Sequence, residues 1–434
     1  MKRNIRIFAP VFFAAVILAA TSCGRDPIFH IIATETPPVS PLIRGGPTKM
    51  VVFNWEFCGC VDCECGVEKD APCCVIPVLF VASGGLFWYS ATEHSRDNEG
   101  NIISGINARW RRDIGIPDRP RARGRIIDIA TTRNHLYILS MEGTGVNTTL
   151  HRLKSGGESW ESIGFSGSGS IQTIFADPEG ERLFAGVQSR GVNFIWYLAD
   201  EHYDLRQLPT ESRILPNEQP TDNTGLLSGA AFRDGSYFLA TRNGVFKVGT
   251  GWITDDMART FMGMIRLPDD TIIVIARIGG FLYEVNDTSL NRIPTDTGGS
   301  YMRTGRDATG ALALWELSSI DNDGNVFVEE RMLIAGVQGS RHTTSFNNGY
   351  VEFSLNAATG AIDASQPRRE TNNLRSVRGE NNQYRTSLAR LPINHLFQAP
   401  RKVDIDMTFF ASTQTSGLWS FRERDRTPQW NAEN

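Results

Sequence analysis

The sequence is short of charge and of the motifs that carry chemistry. Only 21% of its 434 residues are charged, too few for a disordered polyelectrolyte. The net charge of -4 leaves no basic excess for a nucleic-acid binder. The seven histidines, at 30, 94, 135, 151, 202, 342 and 395, are scattered singly. H-E-x-x-H, G-x-x-x-x-G-K-[ST] and G-x-S-x-G are all missing, so no catalytic residue, resident metal or cofactor is assigned, and the enzyme reading stays secondary. No sustained helical period appears after the first 22 residues, which excludes a helical bundle or coiled coil. The apolar run Ile7 to Ala20 has 14 residues and contains Pro10, short of the roughly 20 that cross a bilayer as a helix.

That run follows Lys2, Arg3 and Arg6 and ends in Ala20-Thr21-Ser22-Cys23. A basic start, an apolar core and small residues make a secretory signal over 1–22. Small residues leading into a cysteine resemble the lipobox of bacterial lipoproteins, in the relaxed form found in spirochaetes, with Leu18 displaced from the position that Ala20 occupies. The resemblance implies cleavage before Cys23 and acylation of its thiol and amine. Several acyl chains, each CH₂ contributing about 0.8 kcal/mol, anchor more firmly than one. Loss of the three leader charges takes the net charge from -4 to -7. Residues 23–47 hold Pro27, Pro37, Pro38, Pro41 and Pro47 and read as an extended tether. The expected place is the bacterial cell envelope, membrane-anchored and facing periplasm or cell surface.

What the chain has in quantity is 41 Gly, 20 Pro, 24 Phe, 9 Trp and 9 Tyr, a composition of strands and turns. From residue 48 one strand type recurs seven times: Leu79 to Ser83, Leu136 to Ser140, Leu183 to Val187, Tyr237 to Thr241, Ile272 to Ala276, Met332 to Gly336 and Thr408 to Ser412. Asp177-Pro178-Glu179-Gly180, Asp234-Gly235 and Pro268-Asp269-Asp270 precede three of them as tight reversals. A glycine or turn then opens a further strand, as in Gly85 to Tyr89, Asn193 to Tyr197, Gly244 to Val248, Gly280 to Val285, Gly349 to Phe353 and Gly417 to Phe421. The unit is roughly 55 residues, somewhat above common propeller blades. The expected fold is therefore all-β: a single β-propeller over 48–434, with seven four-stranded blades. Six or eight remain open, because Ala311 to Gly336 can hold one long hairpin or parts of two blades. The ending Gly417 to Phe421 with Trp430 to Glu433 resembles BNR and photosystem-assembly-factor-like propellers and the propeller lipoproteins of spirochaetes.

With Cys23 set aside, Cys58, Cys60, Cys63, Cys65, Cys73 and Cys74 remain, inside an insertion over 56–77. Beyond an inner membrane they read as three disulfides stapling a loop; fifteen pairings are possible. A thiolate metal site is the alternative, since Cys60 and Cys63 have zinc-knuckle spacing. Two Arg-rich stretches could meet an anionic glycan, lipid headgroup or acidic protein: Arg109, Arg111, Arg112, Arg121 and Arg123 in one, Arg368, Arg369, Arg375 and Arg378 in the insertion over 363–390. Leu153 to Trp160 resembles the Asp-box of sialidase-type propellers with Ser155 at the Asp position, which is a structural turn and not a glycosidase signature. Trp110, Trp160, Trp252 and Trp430 read as packing between blades.

These features point to a membrane-anchored binding or scaffold module with a protein or glycan partner and no nucleic acid. A glycan-active, sialidase-like enzyme or metal handling by the cysteine loop is the alternative. Mass spectrometry of the mature chain is expected to show a polypeptide about 6 Da lighter than its reduced form, two hydrogens for each of three disulfides. An unchanged mass on reduction excludes them.

Overall fold

The computed structural model describes residue 43 and residues 49–57, 74–83, 85–89, 110–112, 125–141, 147–157, 159–198, 204–208, 226–233, 235–253, 260–293, 306–320, 326–339, 349–363, 391–401, 407–414, 417–421 and 430–433. All belong to the unit Pro41–Asn434. The leader, Cys23 and every residue of the 23–47 tether except Ile43 lie outside the described residues.

The strands pair into seven antiparallel sheets, six of four strands and one of three, each laid down in chain order. Their first strands are Met50–Phe57, Arg125–Thr131, Ser170–Ala176, Leu227–Arg233, Phe261–Arg266, Arg306–Ile320 and Ile393–Gln398. Each packs against the next, and the seventh packs against the first. The sheets thus close into a ring with these strands innermost, an all-β propeller whose described strands make seven blades. Radial closure leaves only short outer edges and buries both faces of each sheet.

The sequence pattern explains the packing. In blade 5 the second strand Ile272–Ala276 is buried throughout. Ile272, Val274 and Ala276 face a cluster shared with blade 4, while Ile273 and Ile275 meet Leu333, Ala335 and Val337 of blade 6. Period-two side chains on a doubly covered sheet read as an unbroken apolar run. One hydrophobic cluster sits at each of the seven interfaces, and each fully buried Ile, Leu or Phe contributes about 1.5–3 kcal/mol.

The seven repeated segments all become second strands, the last shifted by one residue to Phe409–Thr413. Ala311 to Gly336 is one hairpin: Arg306–Ile320 pairs with Val326–Gly339 in a single sheet. Two of the expected reversals form, with Glu179 N–H donating to Asp177 Oδ1 at 3.1 Å and Asp270 held at φ 69; Asp234 of the third lies outside the described residues. In the Asp-box-like segment the Ser155 hydroxyl donates to Asn54 O of blade 1 at 2.8 Å, and Trp160 packs between blades 1 and 2.

Closure joins a blade whose described strands span residues 50–112 to one whose described strands span residues 393–432, and among the described residues no strand is exchanged between them. Side chains and one bridging segment hold this seam. Ile43 is fully buried with Met50, Val81, Phe410 and Leu418, and Leu418 N–H donates to its carbonyl at 3.3 Å. Trp110 Nε1–H donates to Glu433 Oε2 at 2.9 Å, and the Ser420 hydroxyl donates to Glu433 Oε1. The Trp110 ring meets Phe410 edge-on at 5.6 Å.

Glu433→Ala removes the acceptor from two buried donors and is expected to cost about 1–3 kcal/mol. Calorimetry checks it; an unchanged Tm removes Glu433 from the closure. Gly263→Ala sets a Cβ against Gly310 O of the next blade, with an expected loss of about 1–3 kcal/mol.

Candidate functional site

Six of the seven innermost strands carry a register irregularity near their start. The shifts fall between Ile126 and Asp128, between Leu227 and Gly229, between Phe261 and Gly263, between Ala308 and Leu312, and between Ile393 and His395. In blade 3 the shift falls where Thr173 pairs with Gly186 and Ile171 with Val187. Such bulges re-aim the side chain that follows. The residues just past them, with Lys49 ahead of the bulge-free strand of blade 1, form one layer around the ring.

The layer is divided in two. On blades 7, 1, 2 and 3 it holds His395, Lys49, Asp128 and Thr173. On blades 4 and 5 it holds Gly229 and Gly263, where a Cβ would meet Met264 N of the next blade at 2.7 Å or collide with Gly310 O. Backbones close one arc and polar side chains the other.

The polar arc is a connected network. The Lys49 ammonium donates to Asp128 Oδ2 at 2.9 Å, to Thr173 Oγ1 at 3.2 Å and to Ile174 O, and lies 3.6 Å from the centre of the Phe175 ring. Asp128 Oδ2 also accepts from the Thr173 hydroxyl and from Ile174 N–H, both at 2.8 Å. Its Oδ1 accepts from Ile129 N–H at 2.9 Å. One carboxylate with four donors and one ammonium with three acceptors thus tie blades 1, 2 and 3 together. Side-chain exposure is 5% for Asp128 and 20% for Lys49. Desolvation pulls the Lys49 ammonium below its ordinary pKa, and the facing Asp128 carboxylate opposes the shift.

His395 extends the arc across the seam. Its Nε2 lies 3.4 Å from Met50 O, and its ring stacks on Phe397 at 6.4 Å. Desolvation first, and then the Lys49 charge, bring the imidazole down to about 4, so it is neutral at pH 7. An orienting and bracing role fits this saturated set, since a proton-transfer step at Asp128 would have to break bonds that hold three blades.

The arc contains none of the cysteines and arginines singled out in the sequence. Cys74 opens the second strand of blade 1 opposite Phe57. Arg112 and Arg111 form the outer strand of the same blade opposite Phe87 and Trp88. Cys23, Cys58, Cys60, Cys63, Cys65, Cys73, Arg109, Arg121, Arg123, Arg368, Arg369, Arg375 and Arg378 lie outside the described residues. Strand directions show where insertions depart. The hairpin of blade 1 opens on the face where innermost strands end, whereas the 363–390 insertion leaves the outer edge of blade 6, where Ile362 bridges Leu355. Trp110, Trp160, Trp252 and Trp430 all pack between blades. Among the described residues no group of three or more His, Cys, Asp or Glu could hold a metal ion, and no helix is long and apolar enough to cross a membrane.

Asp128→Asn puts an amide among donors and removes the charge that faces Lys49. The expected cost is about 2–3 kcal/mol, below that of a fully buried pair because Lys49 keeps some solvent contact. It is read as a lower urea midpoint at constant m. For His395 the folded state refuses a proton that the unfolded chain accepts. Stability is therefore expected to fall as pH drops from about 6.5 to about 4. His395→Phe should flatten that slope relative to the parent; identical slopes overturn the assignment.

No protein-family model matches the chain, and no curated protein matches it. Solved structures similar to it include YCF48 from Cyanidioschyzon merolae, 12% identical over 89% of this chain and 98% of that one, with a TM-score of 0.46. The Niastella koreensis GH74 enzyme is 11% identical over 89% of this chain and 54% of that one, TM-score 0.45. The β-propeller domain of Myceliophteria thermophila Cps50 (Swd1) is 10% identical over 91% of this chain and all of that domain, TM-score 0.44. The seven-sheet ring rests on this chain's own strand pairing and not on these likenesses.

Proposed function

We propose that the chain is a binding or scaffold module, a lipid-anchored propeller that presents its blade edges and insertions to an envelope or host partner. The observation that carries this reading is the saturation of Asp128, which takes four hydrogen bonds inside the ring. Its carboxylate is committed to joining blades, and Lys49 to satisfying it. The leader supports the anchor: a basic start, an apolar core and Ala20-Thr21-Ser22-Cys23 make the thiol of Cys23 the acylated group. Partner recognition then falls to groups outside the arc, and the sequences of the two Arg-rich stretches offer forked donors for carboxylate or phosphate groups.

Cys23→Ser is expected to abolish incorporation of an alkynyl palmitate analogue and to release the protein from membranes. Persistent labelling would overturn the anchor. For the module itself, crosslinking in the producing cells followed by affinity purification should recover a reproducible partner, lost on deletion of residues 364–390. Absence of any reproducible partner, with hydrolysis of envelope glycans by the pure protein, would favour the enzyme reading instead.

A further inference from the structure

Blade 6 departs from the other six. Its first two strands, Arg306–Ile320 and Val326–Gly339, have 15 and 14 residues, while its neighbours' corresponding strands in blade 5 have 6 and 5. The stretch Met332 to Gly336 is the part that matches the second strands elsewhere. Val326 to Arg331 therefore run beyond it, about 20 Å of added hairpin.

The base of this extension is braced. Glu316 N–H donates to Gln398 Oε1 of blade 7, and Gln398 Nε2–H donates back to Glu316 O, both at 2.8 Å. Arg331 Nε–H donates to Glu316 Oε1 at 2.6 Å, and its Nη1–H to Ala357 O at 2.8 Å. Ser318, the last buried residue on its strand, reaches Met407 Sδ at 3.2 Å. Past that point Val326 is 55% and Phe327 48% exposed, two of the three exposed large hydrophobics among the described residues. They are consecutive in the strand, so they point to opposite faces, and solvent reaches both sides of the hairpin. The sequence from Ser318 to Glu330 holds four acidic residues and no basic one; of these Glu329 is exposed and accepts the Ser319 hydroxyl.

We infer that the end of this hairpin is a docking arm for an amphipathic basic segment of a partner protein, which clasps the strand so that its apolar side chains cover Phe327 on one face and reach Val326 around the edge, while its Lys or Arg side chains meet Glu329 and Glu330. Charge decides between occupants. Exposed apolar side chains with Glu329 and Glu330 close by in the same strand are repelled by anionic lipid headgroups and complementary to a groove or helix rimmed with cations. The bracing at Glu316, Gln398 and Arg331 holds the arm in shape before contact, which lowers the ordering cost of association. The inference rests on the binding-module reading and names the chemistry of its partner.

The test uses the full chain and two labelled model peptides of Leu and Lys or of Leu and Glu, with equal apolar content, followed by fluorescence anisotropy. The Lys peptide is expected to bind, with the Glu peptide at least about tenfold weaker. Val326→Ser with Phe327→Ser should weaken the Lys peptide about tenfold at an unchanged melting temperature. If that pair melts early, Glu329→Gln with Glu330→Gln carries the test by a shallower salt dependence. Equal binding by parent and variants, or equal binding of both peptides, overturns the arm. So does Phe327-dependent binding to phosphatidylglycerol vesicles without peptide binding, or Phe327-dependent self-association in sedimentation. A partner recovered from cells as well by the Val326→Ser/Phe327→Ser protein as by the parent overturns the arm and leaves the module reading standing.

Discussion

Everything in this ring depends on a seam that none of the described strands crosses. Many blades could be stacked by hydrophobic clusters alone, but the curve closes only if the first and seventh blades meet. Here they meet through a wedge, Ile43, and a buried carboxylate, Glu433, which takes the indole N–H of Trp110. Removal of a buried acceptor costs more than an exposed contact returns, so two short segments far apart in sequence set the integrity of the whole molecule. The aromatic contact of Trp110 with Phe410 adds area at the same place.

The inner layer shows a second constraint, which is space. Seven strands converging on one axis leave little room, and the chain meets this in two ways. At Gly229 and Gly263 it omits side chains, so that neighbouring backbones touch. At Lys49, Asp128, Thr173 and His395 it inserts polar groups that satisfy one another. The bonds from Lys49 and Asp128 cross two interfaces at once. Orientation in the ring is thereby fixed: one arc is held by short contacts between backbones, the other by charge.

Much of the architecture was legible because it is repetitive. Second strands such as Ile272–Ala276 are buried on both faces and appear as unbroken apolar runs, and third strands open on glycine. The third strand Thr148–Lys154 escapes notice because Thr, His, Arg and Lys leave only Leu150 and Leu153 as apolar residues in it. The number of blades hung on Ala311 to Gly336, which sequence periodicity leaves ambiguous because a long hairpin and two short strands have the same alternation; the pairing of Leu314 with Leu333 and of Ile320 with Val326 decides it. The polar arc was not legible at all. His395 and Lys49 are 346 positions apart in the chain; Asp128, Thr173 and His395 share a place just past a bulge and Lys49 lies ahead of a regular strand, which leaves no compositional trace.

Because the described strands of blades 1 and 7 come from opposite ends of the sequence, closure also orders events during synthesis. Blades 1 to 6 can form from residues before 364, yet the apolar face of blade 1, with Met50, Leu79, Val81 and Phe87, has no cover until residues 393–432 arrive. For the interval between, the nascent chain is an open arc with two sticky flanks. Open apolar flanks are where chains aggregate or swap, so blade 7, with Phe410 and Leu418, serves the emerging chain as its own late-arriving chaperone.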